Sequence, residues 1–93
     1  MEWISLISKK HILYEKPVID ELNIALKNGD HKRFLLLLRD IAIDKKIQSI
    51  ANKTGFAREG IYKMLSINGN PRFSFLLPLI DTLDLSLQIK KKG

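Results

Sequence analysis

Four polar side chains lie close together in the second half of this chain: Arg58, Glu59, Tyr62 and Lys63. Their chemistry is recognition by hydrogen bonding rather than bond making. An arginine fork donates twice to guanine O6 and N7, a glutamate accepts from a cytosine amino group, and a tyrosine brings a flat ring and a hydroxyl to a thymine methyl or a phosphate. Each also has an ordinary role. An acidic residue in a helix's first turn is favoured by the helix dipole with no partner present, which leaves two readings of Glu59, and Tyr62 could simply pack half-buried on its own helix. Arg58 is the strongest candidate for reading a base edge, and Lys63 completes the set.

The charge around these residues points the same way. Residues 1 to 44 carry seven Lys or Arg against seven Asp or Glu, whereas residues 45 to 93 carry nine against three, so the net charge of +6 comes wholly from the second half. From Lys45 to Arg72 six basic side chains (Lys45, Lys46, Lys53, Arg58, Lys63, Arg72) face one acidic one, Glu59. A phosphate backbone suits such a surface, and a lysine-rich solvated face is the alternative. Phosphate contacts are expected from the helix start at Gln48, from Lys53, and from Asn68, Asn70 and Arg72, where Gly69 would permit close approach. The run Asn68-Gly69-Asn70-Pro71 also reads as an ordinary turn.

Catalytic groupings are poor. The chain has no cysteine, and its two histidines, His11 and His31, are far apart. No metalloprotease, P-loop or dinucleotide fingerprint occurs. No enzyme, metal or cofactor is expected. The apolar run Trp3 to Ile7 is broken by Ser5, lacks a preceding basic region and falls far short of the ~20 residues that span a bilayer. Neither a signal peptide nor a membrane anchor is expected, and the cytoplasm is the expected location.

Five helices are expected to position these residues in one domain over 14–93, preceded by an arm over 1–13 in which Met1 to His11 shows no periodicity. Pro17 suits a first helical position, and Val18, Leu22, Ala25 and Leu26 recur at helical spacing until Asn28-Gly29. Asp30 can cap a second helix striped by Phe34, Leu37, Leu38 and Ile41, with Lys45 and Lys46 near its C-terminus. Leu35 to Leu38 imply burial on more than one side. Ile47 to Thr54 and Arg58 to Leu65 form two short helices flanking Gly55, the first with Ile47, Ile50, Ala51 and Thr54 inward, the second with Ile61, Met64 and Leu65 inward. After the turn formers of 66–72, Ser74 can cap a last helix carrying Leu76, Leu77, Ile80 and Leu83, with Pro78 near its first turn. Leu85 to Lys91 alternates with the period of a β-strand. That strand would pair with a second copy, placing Leu85, Leu87 and Ile89 in a dimer contact, or with the chain's own Trp3 to Ile7.

The spacing within 47–66 is that of a helix-turn-helix. A steep crossing needs a small residue at closest approach and a turn tolerant of positive φ, which Ala51 and Gly55 supply. Ile50, Phe56, Ile61 and Met64 stand at the offsets where the two helices need apolar contacts.

From about Tyr14 to Ile89 the chain resembles the addiction-module antidote family, small antitoxins with a lambda-repressor-like (XRE-type) helix-turn-helix. The resemblance rests on Ile50-Ala51 with Gly55, on Arg58-Glu59-Gly60-Ile61-Tyr62-Lys63-Met64-Leu65, and on Gly69-Asn70-Pro71-Arg72-Phe73. It implies an all-α, five-helix domain ending in a short β-strand, a RelE/ParE-like toxin as partner, and repression of the shared promoter. Ala57 departs from the serine usual at the start of the recognition helix and forfeits a cap worth ~1 kcal/mol; Pro78 and the Met1 to Lys10 segment depart as well. Three readings follow: a DNA-binding antitoxin, a phage-type or host repressor without a toxin, and an interaction module that has lost DNA binding. The first two act as homodimers on a pseudo-palindromic duplex.

Overall fold

The computed structural model describes residues 16–92. Among them five helices follow one another: α1 (Lys16–Lys27), α2 (His31–Lys45), α3 (Ile47–Thr54), α4 (Arg58–Met64) and α5 (Phe73–Thr82). The expected arm over 1–13, with His11 and Trp3 to Ile7, lies outside the described residues.

Helix α2 is the centre because it is apolar on several sides. Phe34, Leu35, Leu37, Leu38, Ile41 and Ala42 are all buried, which the Leu35 to Leu38 run anticipates. Its start is fixed by Asp30, whose Oδ1 accepts from the Arg33 N–H at 3.1 Å. Helix α1 lays Leu22 and Ala25 against it, and an ion pair between Glu21 and Arg33 joins the two helices outside the core. Helix α3 packs against α2, α4 and α5. Leu38, Ile41, Ile50, Ile61, Leu65, Leu79 and Leu83 are the largest fully buried side chains. Each such side chain contributes ~1.5–3 kcal/mol relative to an exposed one, so the core depends on contributions from α2 through the end of α5.

A single residue separates α2 from α3. Lys46 caps both helices at φ 79°, and its N–H donates to the Ile43 carbonyl at 3.1 Å. A side chain in that conformation costs ~1–3 kcal/mol, a strain tolerated because burial of Ala42 and Ile47 on either side fixes the two helices.

Helix α5 differs from expectation at its start. Arg72, not Ser74, occupies the cap position, with no side-chain cap, and Ser74 lies in the first turn. Pro78 is therefore the sixth helical residue, past the first turn, and removes the bond that its nitrogen would otherwise donate to the Ser74 carbonyl. The inward set shifts too: Leu79 is buried while Leu77 is exposed. An almost wholly apolar run from Phe73 to Ile80 carries no periodicity from which its inner face could be read.

The expected strand is absent: residues 85–92 have no regular secondary structure. Asp84 turns the chain at φ 59°, and the tail then borders a groove whose other wall includes Ile19, Leu22 and Leu26 of α1. A helix spends its backbone groups internally, so α1 offers the tail no ladder to join. Period-2 alternation without a partner strand does not make a sheet. Leu85 packs against the core, whereas Leu87 is exposed and Ile89 fully so.

The turn after α5 is held by an ion pair between Lys45 Nζ and Asp84 Oδ2 at 2.5 Å. The hydrogen bond from Lys45, then its charge, hold the Asp84 carboxyl below its ordinary value. A lowered folded-state value means that the pair stabilises the protein above the ordinary aspartate range and that this stabilisation is lost as pH falls through the folded value. Thermal melts of Asp84→Asn, which keeps a residue tolerant of positive φ, should thus show a shallower loss of Tm than wild type on acidification below about pH 5. Parallel acid limbs for the two proteins would remove the pair from the stability of this turn.

Candidate nucleic-acid interface

The direction of α4 is set by the three residues before it. Gly55 has φ 81° and donates its N–H to the Ala51 carbonyl at 2.8 Å, closing α3 in the left-handed conformation that glycine adopts without strain. Thr54 braces the turn twice. Its Oγ1 donates to the Ile50 carbonyl at 2.8 Å and accepts from the Phe56 N–H at 3.1 Å. Ala57 is extended and gives α4 no side-chain cap, as its methyl dictates. The anchoring comes instead from Ile61 and Leu65, both fully buried.

With that face inward, Arg58, Glu59 and Lys63 are exposed on α4. Tyr62 is placed differently. It is half-buried and packs against the core, and the Arg39 guanidinium carbon of α2 lies 5.6 Å from its ring centroid. That separation is within the range of a cation–π contact. Met64, expected inward, is half-buried and packs against the core at the opposite edge of the helix.

On that edge the loop 66–72 folds back onto α4. Ser66 Oγ donates to the Lys63 carbonyl at 2.9 Å, and the Gly69 N–H donates to the Ser66 carbonyl at 2.8 Å. Gly69 is buried, and a Cβ there would stand 2.3 Å from the Met64 carbonyl oxygen and 2.9 Å from that of Lys63. The close approach that Gly69 allows is thus to the end of α4. A groove of about 560 Å³ separates the loop from the helix and brings Lys63 together with Asn68, Asn70 and Arg72. Phe56 and Phe75 also line it, edge to face with centroids 5.4 Å apart.

The remaining residues singled out in the sequence lie elsewhere. Gln48 and Lys53 are exposed on α3, and Gln48 Nε2 donates to Asn52 Oδ1 at 2.9 Å along the helix. Arg58 and Glu59 do not line the groove. Leu85 belongs to the core edge, and Leu87 and Ile89 lie on the tail. Arg39 and Gly60 are not legible as site residues, because a cation–π contact between two helices leaves no periodic trace and a helical glycine reads only as a weak helix former. Among the described residues no His, Cys, Asp or Glu group could hold a metal, and no helix is long and apolar enough to cross a membrane.

Comparison with known proteins adds a family. The sequence pattern of the family described as "probable addiction module antidote protein" matches residues 6–91. An uncharacterised protein of Haemophilus influenzae is 33% identical over 82 residues, covering 88% of this chain and 84% of its own length. No solved structure matches significantly.

The two glycines beside the groove should respond oppositely to alanine. Gly60 has open space where a Cβ would go, so Gly60→Ala should raise the unfolding free energy by about 0.5–1 kcal/mol through helix propensity. Gly69→Ala must displace backbone and should lower it by roughly 1–3 kcal/mol. Urea denaturation distinguishes the pair, and equal effects would contradict the close packing of the loop on α4.

Proposed function

Because the chain belongs to the family of probable addiction module antidote proteins, we propose that it is a DNA-binding antitoxin that represses its own promoter and neutralises a RelE/ParE-like toxin encoded beside it. The observation that carries the DNA-binding half is the exposed face of α4, bordered by a groove with donors from Lys63, Asn68, Asn70 and Arg72. In this reading α3, the Gly55 turn and α4 are a helix-turn-helix of the lambda-repressor-like type, and α4 enters the major groove. Arg58 reads a base edge with Glu59 and Lys63 beside it, Tyr62 supports them from the flank, and Gln48, Lys53, Asn68, Asn70 and Arg72 hold phosphates.

Electrostatics supports the same assignment. Arg58, Lys63 and Arg72 form no ion pair among the described residues, so their charge is available to phosphate. One recognition helix reads only a few base pairs. The protein therefore acts as a homodimer on two half-sites about one helical turn (~34 Å) apart. Leu87 and Ile89, apolar and exposed on the tail, are offered to the second copy by side-chain packing.

The test uses the full chain and the duplex upstream of its coding sequence. Affinity should fall steeply between about 50 and 200 mM salt because the release of counterions on binding gains less free energy as salt rises, with two chains bound per site. Arg58→Ala should cost about 1–3 kcal/mol on this duplex and far less on random sequence, whereas Lys63→Ala should weaken both. Binding that is indifferent to salt, or equal loss on both duplexes for Arg58→Ala, would contradict the assignment. For the toxin, co-expression with the product of the adjacent gene should restore growth that the product alone arrests.

A further inference from the structure

Arg39 belongs to α2, outside the two helices that carry the proposed readout, yet its guanidinium lies 5.6 Å from the Tyr62 ring centroid. It is half-buried and forms no ion pair among the described residues. A partly desolvated arginine normally has a carboxylate nearby, and here the ring takes that place. A cation–π contact engages the positive charge with the ring face and uses none of the guanidinium N–H donors.

The position of Tyr62 on α4 gives those donors a direction. Successive helical residues turn by about 100°, so residues two apart stand about 200° from each other, on opposite sides. Tyr62 is two residues from both Gly60 and Met64. Those two line the groove shared with Asn68, Asn70 and Arg72. Arg39 and the 68–72 loop therefore flank α4 on opposite sides, with Glu59 and Lys63 on the outer surface between them. A helix seated in a major groove has one phosphate strand along each side.

We propose that Arg39, held by its cation–π contact with Tyr62, is a DNA phosphate ligand on the side of α4 opposite Asn68, Asn70 and Arg72. The inference rests on the DNA-binding reading above and adds a second clamp to it. Tyr62 is then also a positioning residue, whose ring orients the guanidinium.

Phosphate ethylation interference on the upstream duplex, with binding measured in a salt series, tests this. In wild type, the interfering phosphates of each half-site should form clusters on both strands bordering the major groove. Arg39→Gln should erase one cluster, lower affinity about threefold to tenfold on specific and random duplex alike, and reduce the salt slope by about one per chain. Arg72→Gln should erase the other cluster. Arg39→Lys, which keeps the charge but not the planar guanidinium, should keep the salt slope and lose part of the affinity. Circular dichroism melts of each variant report the helical fold separately. If Arg39→Gln leaves the ethylation pattern and the salt slope unchanged while Arg72→Gln alters them, the Arg39 assignment is overturned and DNA binding stands. Arg39→Lys binding with wild-type affinity and ethylation pattern would overturn the positioning of the guanidinium by Tyr62. If wild type binds neither duplex, the DNA-binding reading fails and the proposal falls with it.

Discussion

The reversal of the chain at Gly55 is the constraint on which the outward face of α4 depends. At φ 81° the backbone occupies a conformation that a side chain would strain, and the turn is closed by bonds from Gly55 to Ala51 and between Thr54 and both Ile50 and Phe56. Because each helical residue turns by about 100°, a slip of one position there would bring Gly60 or Tyr62 to the buried place of Ile61 and turn Ile61 toward the surface. The burial of Ile61 and Leu65 holds the register from the other end. Position and register of α4 are thus fixed by packing, with no contribution from a side-chain cap.

That arrangement divides the molecule electrostatically. The ion pairs of the described residues, Lys16 with Asp20, Arg33 with Glu21 and Lys45 with Asp84, engage carboxylates away from α4. On α4 itself only Glu59 opposes the basic side chains. Desolvation falls on apolar residues, no polar side chain is buried among the described residues, and the charged groups stay at the surface where a polyanion can meet them. The Arg39–Tyr62 contact is the intermediate case, with charge sheltered by an aromatic ring rather than neutralised by an acid.

Much of this was legible from residue types and spacing. Asp30 as a cap, Gly55 as the turn, and the inward faces of α2, α3 and α4 follow from local chemistry that tertiary structure did not override. What was not legible depended on partners distant in the chain. The alternation of Leu85, Leu87 and Ile89 suits a strand, but a strand requires a neighbour with free backbone groups, and the tail meets helix side chains instead. Ser74 is a good cap by type and suggests a later start for α5, but the helix begins at Phe73 behind Arg72, with Leu79 and Ile80 buried and Leu77 exposed. Gly69 showed that something comes close without showing that it is the end of α4. Arg39 lay in a helix read only for its apolar stripe.

The proposed role stands or falls on which surface meets DNA, and amide chemical shifts report that residue by residue. In a titration of the full chain with the duplex upstream of its coding sequence, the account expects the largest changes in 57–63 and 68–72, with smaller ones at Arg39 and the start of α3. Changes concentrated on α1 and the 85–92 tail, with α4 unmoved, would contradict it.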